Sequence, residues 1–310
     1  MPPKRTGKEE SRTLYYAAQK ELLEMLYRHT LLTADQAANL LNYRPKTVYG
    51  MASALKREGL LLSLFLPFLR MNHRGYTLSL EGARAASRLT GDEESFRSGN
   101  WKAAPVQLEH FFGANDFFIA LIRYSLSHTG EGLLEWLDPR EAAERYVQTH
   151  GSGRKSRPVK PDGMGTYLLP GRGRLVFHLE YDTGTEATWR LKEKLFQYGL
   201  LLPKLWPRVE AVNVLVVTKI ASRPQQLLEM WKGLCEGSLS GIQLPNVWVI
   251  HEKEWQLKGV KEARWRGRNG QQLRFRELPV LSLPSELSLP ILGKQLREAS
   301  PLKGRGRRDG

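Results

Sequence analysis

The sequence predicts a two-domain chain of mixed α and β class: a helical unit carrying a β-hairpin, then an α/β layer domain built on a mixed sheet. Three observations predict it. The first 90 residues hold helical patterns with capping signals and one hairpin. From residue 106 onward, apolar runs of strand length alternate with helical patterns, the mark of a layered α/β unit. At 310 residues the chain can bury two separate cores.

Residues 1–12 read as a loose basic arm. The first domain is expected over 13–90. Apolar residues recur at helical spacing from Leu14 to Arg28, with Ala18, Leu22 and Leu26 on one face. Thr33 followed by Gln36 is a capping-box pair that opens a helix over Ala34–Leu41. Pro45, a residue tolerated in a first turn, opens a third helix to about Glu58, with Gly59 as its stop. There Val48, Met51, Ala52 and Leu55 form one buried stripe. The opposite face offers Lys46, Thr47, Tyr49, Gly50 and Ser53, with Lys56 and Arg57 at its far end. Small hydrogen-bonding residues near a helix N-terminus suit a DNA major groove. Leu60–Leu66 and Tyr76–Leu78 then flank a loop, placing Arg70, His73 and Arg74 to touch phosphates. Ser79 caps a further helix to Leu89. Three helices and a wing make a winged helix-turn-helix. The alternative is a bundle-like domain for protein contacts, since Leu61–Leu69 is more apolar than a wing needs; this leaves a homodimer open.

Residues 91–105 read as a polar linker, and the second domain is expected over 106–255. A long helix covers Val106–Ser127, apolar on several faces, with Glu109, His110, Asn115 and Asp116 as polar exceptions. Leu133–Leu137 is a strand, and Pro139–Tyr146 has no clear pattern. The loop 151–157 carries Arg154, Lys155 and Arg157, placed either to touch phosphates or to move freely. A helix runs from about Glu186 and ends before Pro203. Val212–Val217 and Asn246–Ile250 are strands on either side of a helix over Pro224–Leu234. The segment 256–310 is a basic extension: Trp265, Phe275 and several arginines suggest one more hairpin, and Lys303–Arg308 is a tail expected to be disordered.

Composition narrows the partner. The formal net charge is +15, which favours a polyanion. Nucleic acid fits better than a membrane, because no apolar stretch approaches the ~20 residues of a spanning helix. A basic surface that binds nothing is the plainer alternative. Single Cys235 excludes an internal disulfide and a cysteine-rich metal site, so a reducing cytoplasm is the expected setting. The charged stretch Met1–Glu10 is no secretory signal.

The chemistry-bearing stretch is Pro158–Gly163 and its return, Phe177–Asp182. Pro170–Gly171–Arg172–Gly173 is a turn signal between two β-type runs. A turn centred near Gly171 sets Asp162 opposite Glu180, with Cβ atoms ~4.5–5.5 Å apart. Asp182, two residues on, points to the same face. Three carboxylates at one end of a hairpin repel, and a hard divalent cation, Mg²⁺ or Mn²⁺, relieves them. The plainer alternative is that Asp162 caps the strand turn while Glu180 and Asp182 pair with Lys160, Lys192 and Arg190.

The Pro161–Asp162 and Glu180–Tyr181–Asp182 pattern, in a helix–strand–hairpin–helix–strand order, resembles the PD-(D/E)xK nuclease superfamily, whose core is αβββαβ. More narrowly, the winged helix, Leu108–Glu109–His110–Phe111–Phe112–Gly113–Ala114–Asn115–Asp116–Phe117, and Glu180–Tyr181–Asp182–Thr183–Gly184–Thr185–Glu186 with Lys194 and Tyr198 resemble the replication-relaxation family of plasmids and mobile elements. The resemblance covers about 14–220. It implies roles in replication and relaxation of plasmid DNA, with double-stranded DNA at an origin or operator as partner. The wider superfamily implies Mg²⁺-dependent phosphodiester cleavage, here nicking. The superfamily's lysine two places after the glutamate is Asp182 here, so Lys194 on the next helix is its first candidate replacement, then Lys192 and Lys160. By the same resemblance Glu109 completes a metal shell with Asp162, Glu180 and Asp182. A non-catalytic initiator or regulator is the alternative. A tyrosine-nucleophile relaxase would want a histidine cluster, and the seven histidines are scattered.

Overall fold

The structure is a computed structural model that describes residues 7–69, 73–92, 105–128, 130–143 and 159–282. The chain divides into two compact units, with the division after Ile119.

In the first unit, α1 (Gly7–His29) begins earlier than the sequence pattern predicts, so residues 7–12 of the expected arm are helical. Lys8, Glu9 and Glu10 are good helix formers. β1 (Leu32–Thr33) leads into α2 (Ala34–Leu41), whose capping box is formed in both directions, at 3.1 and 3.2 Å. Asn42 ends α2 in the left-handed region. α3 (Pro45–Arg57) buries Val48, Met51, Ala52 and Leu55, and Gly59 turns the chain at φ +75°. β2 (Leu61–Phe65) and β3 (Arg74–Leu78) pair antiparallel, and β1 adds to β3, giving a three-stranded sheet in the order β1-β3-β2. A two-residue strand such as β1 is too short to leave a periodic trace. α4 (Leu80–Thr90) is capped by Ser79.

α5 (Pro105–Leu126) explains the excess apolar character after β2. Leu66 is fully buried with Leu31 and Leu108, and Phe68 meets Phe112 with ring centroids 5.6 Å apart. Asn115 donates to the carbonyls of His29 (3.0 Å) and Leu31 (2.8 Å), and Gln36 donates to the Phe112 carbonyl (3.1 Å). Leu108–Asn115 thus works as a seam of the first unit.

The second unit is a seven-stranded mixed sheet. β4 (Gly132–Leu137), β5 (Gly163–Leu169) and β6 (Gly173–Asp182) are antiparallel, with residues 139–143 helical after β4. α6 (Thr188–Leu205), β7 (Val212–Thr218), α7 (Arg223–Glu236) and β8 (Asn246–His251) follow, with β6, β7 and β8 parallel. α6 passes Pro203 instead of stopping before it. The proline removes one N–H in the last turn, where the Trp206 N–H still reaches the Leu202 carbonyl at 2.9 Å. After α8 (Glu252–Lys258), β9 (Arg264–Arg266) and β10 (Gln272–Arg274) form the expected extra hairpin and close the order β10-β9-β8-β7-β6-β5-β4. The sheet therefore continues to Arg274, past residue 255.

One face of this sheet packs under α6 and α7 through Val176, Val214, Val216, Val249, Leu195 and Trp231. On the other face Phe275 meets Tyr167 and Phe177 edge-on, at 5.4 and 5.8 Å. Continuous burial along β7 reflects this two-sided covering.

Candidate functional site

The β5–β6 ladder runs from Leu169↔Gly173 at the tip to Gly163↔Leu179, a register centred on Gly171. The next opposed pair is Asp162 and Glu180. The Asp162 N–H bonds the Leu179 carbonyl at 2.9 Å, and its Oδ2 accepts from the Tyr181 N–H at 2.7 Å. Asp162 is therefore fastened to β6 through backbone on both of its sides.

α6 lies over this pair. Lys194 and Tyr198 are one turn apart on the face that buries Leu191 and Leu195. Lys194 Nζ forms an ion pair with Glu180 Oε2 and lies 3.7 Å from Asp162 Oδ1. Tyr198 donates its hydroxyl to Glu180 Oε1. Both Glu180 oxygens are thus engaged. Behind Tyr198 stands fully buried His178, ring centroids 5.6 Å apart.

Burial pushes the Glu180 carboxyl up to about 8, with Asp162 adding to the rise while Lys194 and Tyr198 oppose it. Burial works against the charge on Lys194, yet Asp162 and Glu180 hold its ammonium above the ordinary lysine range. The cluster keeps a cation between two carboxylates.

Asp182 sits one step further along β6 in different surroundings. Its side chain is fully buried and accepts from Thr218 Oγ1 (2.7 Å) and the Gly184 N–H (2.9 Å), with Arg223 Nε at 3.4 Å. Arg223 also donates to Thr188 Oγ1 at 2.8 Å, which ties the start of α7 to the start of α6. Two residues of one strand face share a side, but they are ~6.6 Å apart along it, so different helix ends cover them. Asp162 and Glu180 meet at Lys194; Asp182 does not join them. Among the described residues no group of three or more His, Cys, Asp or Glu side chains is arranged to hold a metal ion. Glu109 belongs to the first unit. Lys192 and Lys160 are exposed, and Arg190 lies over the Trp189 ring at 5.3 Å.

Arg223 and Thr218 were not legible as partners of Asp182. They lie on a later strand and helix, and no local motif marks them.

In the first unit Lys46, Thr47, Tyr49, Ser53, Lys56 and Arg57 are all exposed along α3, and Arg74 is exposed at the start of β3 with His73 half-buried before it. Arg70, Arg154, Lys155 and Arg157 lie outside the described residues. Among the described residues no helix is long and apolar enough to cross a membrane.

The sequence model of the replication-relaxation family matches residues 23–211. The chain belongs to the replication-relaxation family. No curated protein and no solved structure matches it. The family segment runs from within α1 to the residue before β7, so it contains Asp162, Glu180, Lys194 and Tyr198. The replication-relaxation match stops short of Thr218 and Arg223, the two side chains that engage Asp182, and of the β9–β10 hairpin.

Proposed function

We propose that this replication-relaxation protein of a mobile element binds duplex DNA through a winged helix-turn-helix and carries a PD-(D/E)xK-like phosphodiester site in its second unit. The observation that carries the nuclease reading is the meeting of Asp162, Glu180 and Lys194 at one end of the β5–β6 ladder, under α6. It supplies the acid, acid and lysine of that site although Asp182 occupies the usual lysine position. Support for DNA binding comes from the α3 surface: cationic and hydrogen-bonding side chains all exposed, over a wholly apolar buried stripe.

Two opposed carboxylates fit Mg²⁺ or Mn²⁺, since Mg²⁺ is usually held by one or two carboxylates with water and substrate phosphates completing its shell. Asp162 and Glu180 would hold it. A bound ion would supply an activated water and charge stabilisation at the scissile phosphate. Lys194 offsets negative charge beside both carboxylates, and Tyr198 orients the Glu180 carboxyl by its hydrogen bond. Asp182 holds the β6–α6 turn in place through Gly184 and Arg223.

Supercoiled plasmid incubated with Mg²⁺ or Mn²⁺ tests this. Nicking by the natural chain, lost in both Asp162→Ala and Glu180→Ala while duplex binding persists, is the expected result. Nicking that survives both substitutions rejects the assignment.

The second reading, a non-catalytic initiator or regulator, is favoured by one observation. Lys194 already places a cation beside the two carboxylates from within the chain. Operator binding without nicking under any divalent ion would select it.

A further inference from the structure

The edge hairpin of the second unit carries a charge pattern that its own packing does not call for. On β9, Arg264 and Arg266 point to one side while Trp265 between them is fully buried. Arg264 is paired directly with Arg274 across the hairpin, and Arg266 with Gln272. Like charges directly opposite on one face of an antiparallel pair destabilise it. Counter-charge is sparse: Glu254 is 4.0 Å from Arg266, and Glu262 is shared between Arg274 (3.6 Å) and Arg276 (3.9 Å). Among the described residues neither Arg264 nor Arg268 has a carboxylate within ion-pair distance, and both are exposed.

Register fixes which way this face looks. Glu180, Val216 and Val249 are consecutive partners across the parallel strands, and Val249 pairs with Arg266. Direct partners share a face, so the guanidinium of Arg266 lies on the side of the sheet that bears α6, α7 and Glu180. β9 is three strands from β6, about 14 Å at the usual strand spacing. Between α7 and the hairpin turn runs a cleft of about 430 Å³, to which Lys232, Arg266, Arg268 and Gln272 contribute, with Glu229 as its one carboxylate. Arginine forks and amide side chains in an open, polar cleft match phosphate oxygens. They offer little to an apolar ligand.

We infer that the arginine face of the β9–β10 hairpin is a second contact surface for the phosphate backbone of duplex DNA, separate from α3 and outside the segment the family shares. Arg264, Arg266 and Arg274 are its principal contacts, with Arg268 and Lys232 at the cleft rim. The opposed Arg264–Arg274 pair is relieved when phosphates lie between and over the guanidinium groups. This surface reads no sequence. It adds sequence-independent affinity and rests on the reading of the chain as a DNA-binding protein.

Fluorescence anisotropy with a labelled duplex of arbitrary sequence, titrated at several salt concentrations, tests it on the full chain. Each phosphate contact contributes about 0.9 to the slope of log K against log salt. The triple variant Arg264→Ala, Arg266→Ala, Arg274→Ala is expected to flatten that slope by about 2 to 3, and Arg264→Gln alone by about 1. Replacing the three arginines by lysine should retain most of the slope, and Arg208→Ala, an exposed arginine elsewhere in the unit, should leave it unchanged. Circular dichroism and the single variant guard against a misfolded triple variant. Unchanged slopes in both the single and triple variants, with the natural chain still binding, overturn the hairpin surface and spare the α3 reading. Loss of binding to anionic phospholipid vesicles with unaltered DNA slopes also overturns it. A natural chain that binds no duplex at all removes both readings together.

Discussion

Lys194 forms an ion pair with Glu180, reaching down from α6 onto a strand that ended a dozen residues earlier. The pair is held among apolar neighbours, with 24% of the lysine side chain and 5% of the glutamate side chain exposed. Breaking such a pair from one side leaves the other group buried and uncompensated. Lys194→Met is expected to lower unfolding stability by roughly 3–5 kcal/mol. The double variant Glu180→Gln, Lys194→Met should recover part of that loss, because Glu180 is then no longer an orphaned charge while Asp162 still lacks its cation. Urea unfolding of the four proteins in a double-mutant cycle measures the coupling; additive losses would rule the pair out as an energetic unit.

Asp182 and Arg223 form a second buried pair, both side chains at least nine-tenths covered. Arg223 holds the Gly184 and Glu186 carbonyls and Thr188 as well, so it tethers the turn that precedes α6. α6 has no side-chain cap of its own at Ala187. Asp182→Ala should cost about 3–5 kcal/mol and loosen that turn, seen as faster amide hydrogen exchange over residues 183–190. Exchange there that matches the natural chain would count against the tether.

The Thr33–Gln36 box closes the entry to α2 in both directions. Thr33→Ala removes one acceptor and should cost about 1 kcal/mol. Gln36→Ala should cost more, since the Gln36 amide also donates to the Phe112 carbonyl and joins α2 to α5. Thermal melts of the two variants give the order directly, and a larger loss from Thr33→Ala would reverse it.

Lys261 is buried beneath Tyr124, Tyr167 and Phe275, with its ammonium 4.6 to 5.9 Å from the ring centres and 2.8 Å from Glu131. Burial lowers its proton affinity below the ordinary lysine value, against the opposing pull of Glu131. Between that lowered value and 10.5 the unfolded chain binds more protons than the folded one, so stability from this group rises with pH across that window. Relative to Lys261→Met, the natural chain should therefore gain stability as pH rises from neutral toward 10.5. A difference that stays flat or falls would contradict the assignment.

Local signals in the chain were strong wherever one element settles its own geometry. The capping box, Pro45 at the start of α3, Gly59 at its end and the turn at Gly171 each act over four residues or fewer, so their chemistry is written in consecutive letters. The opposition of Asp162 and Glu180 follows from that turn by counting. Other features needed distant partners. β1 became a strand only because β3 offers it a ladder, and the apolar residues after β2 are used by α5. Pro203 did not end α6, because the residues beyond it are held by the last turn and the core beneath.

By itself the sequence determined the order of the longer helices and strands, the mixed sheet, the paired acids and the replication-relaxation family. Only the tertiary structure decided which cation meets which acid. Strand alternation puts Glu180 and Asp182 on one side, but it cannot say which helix end lies above each. The crossing of α6 delivers Lys194 to the first acid, and the start of α7 delivers Arg223 to the second, from sequence distances at which no local pattern survives.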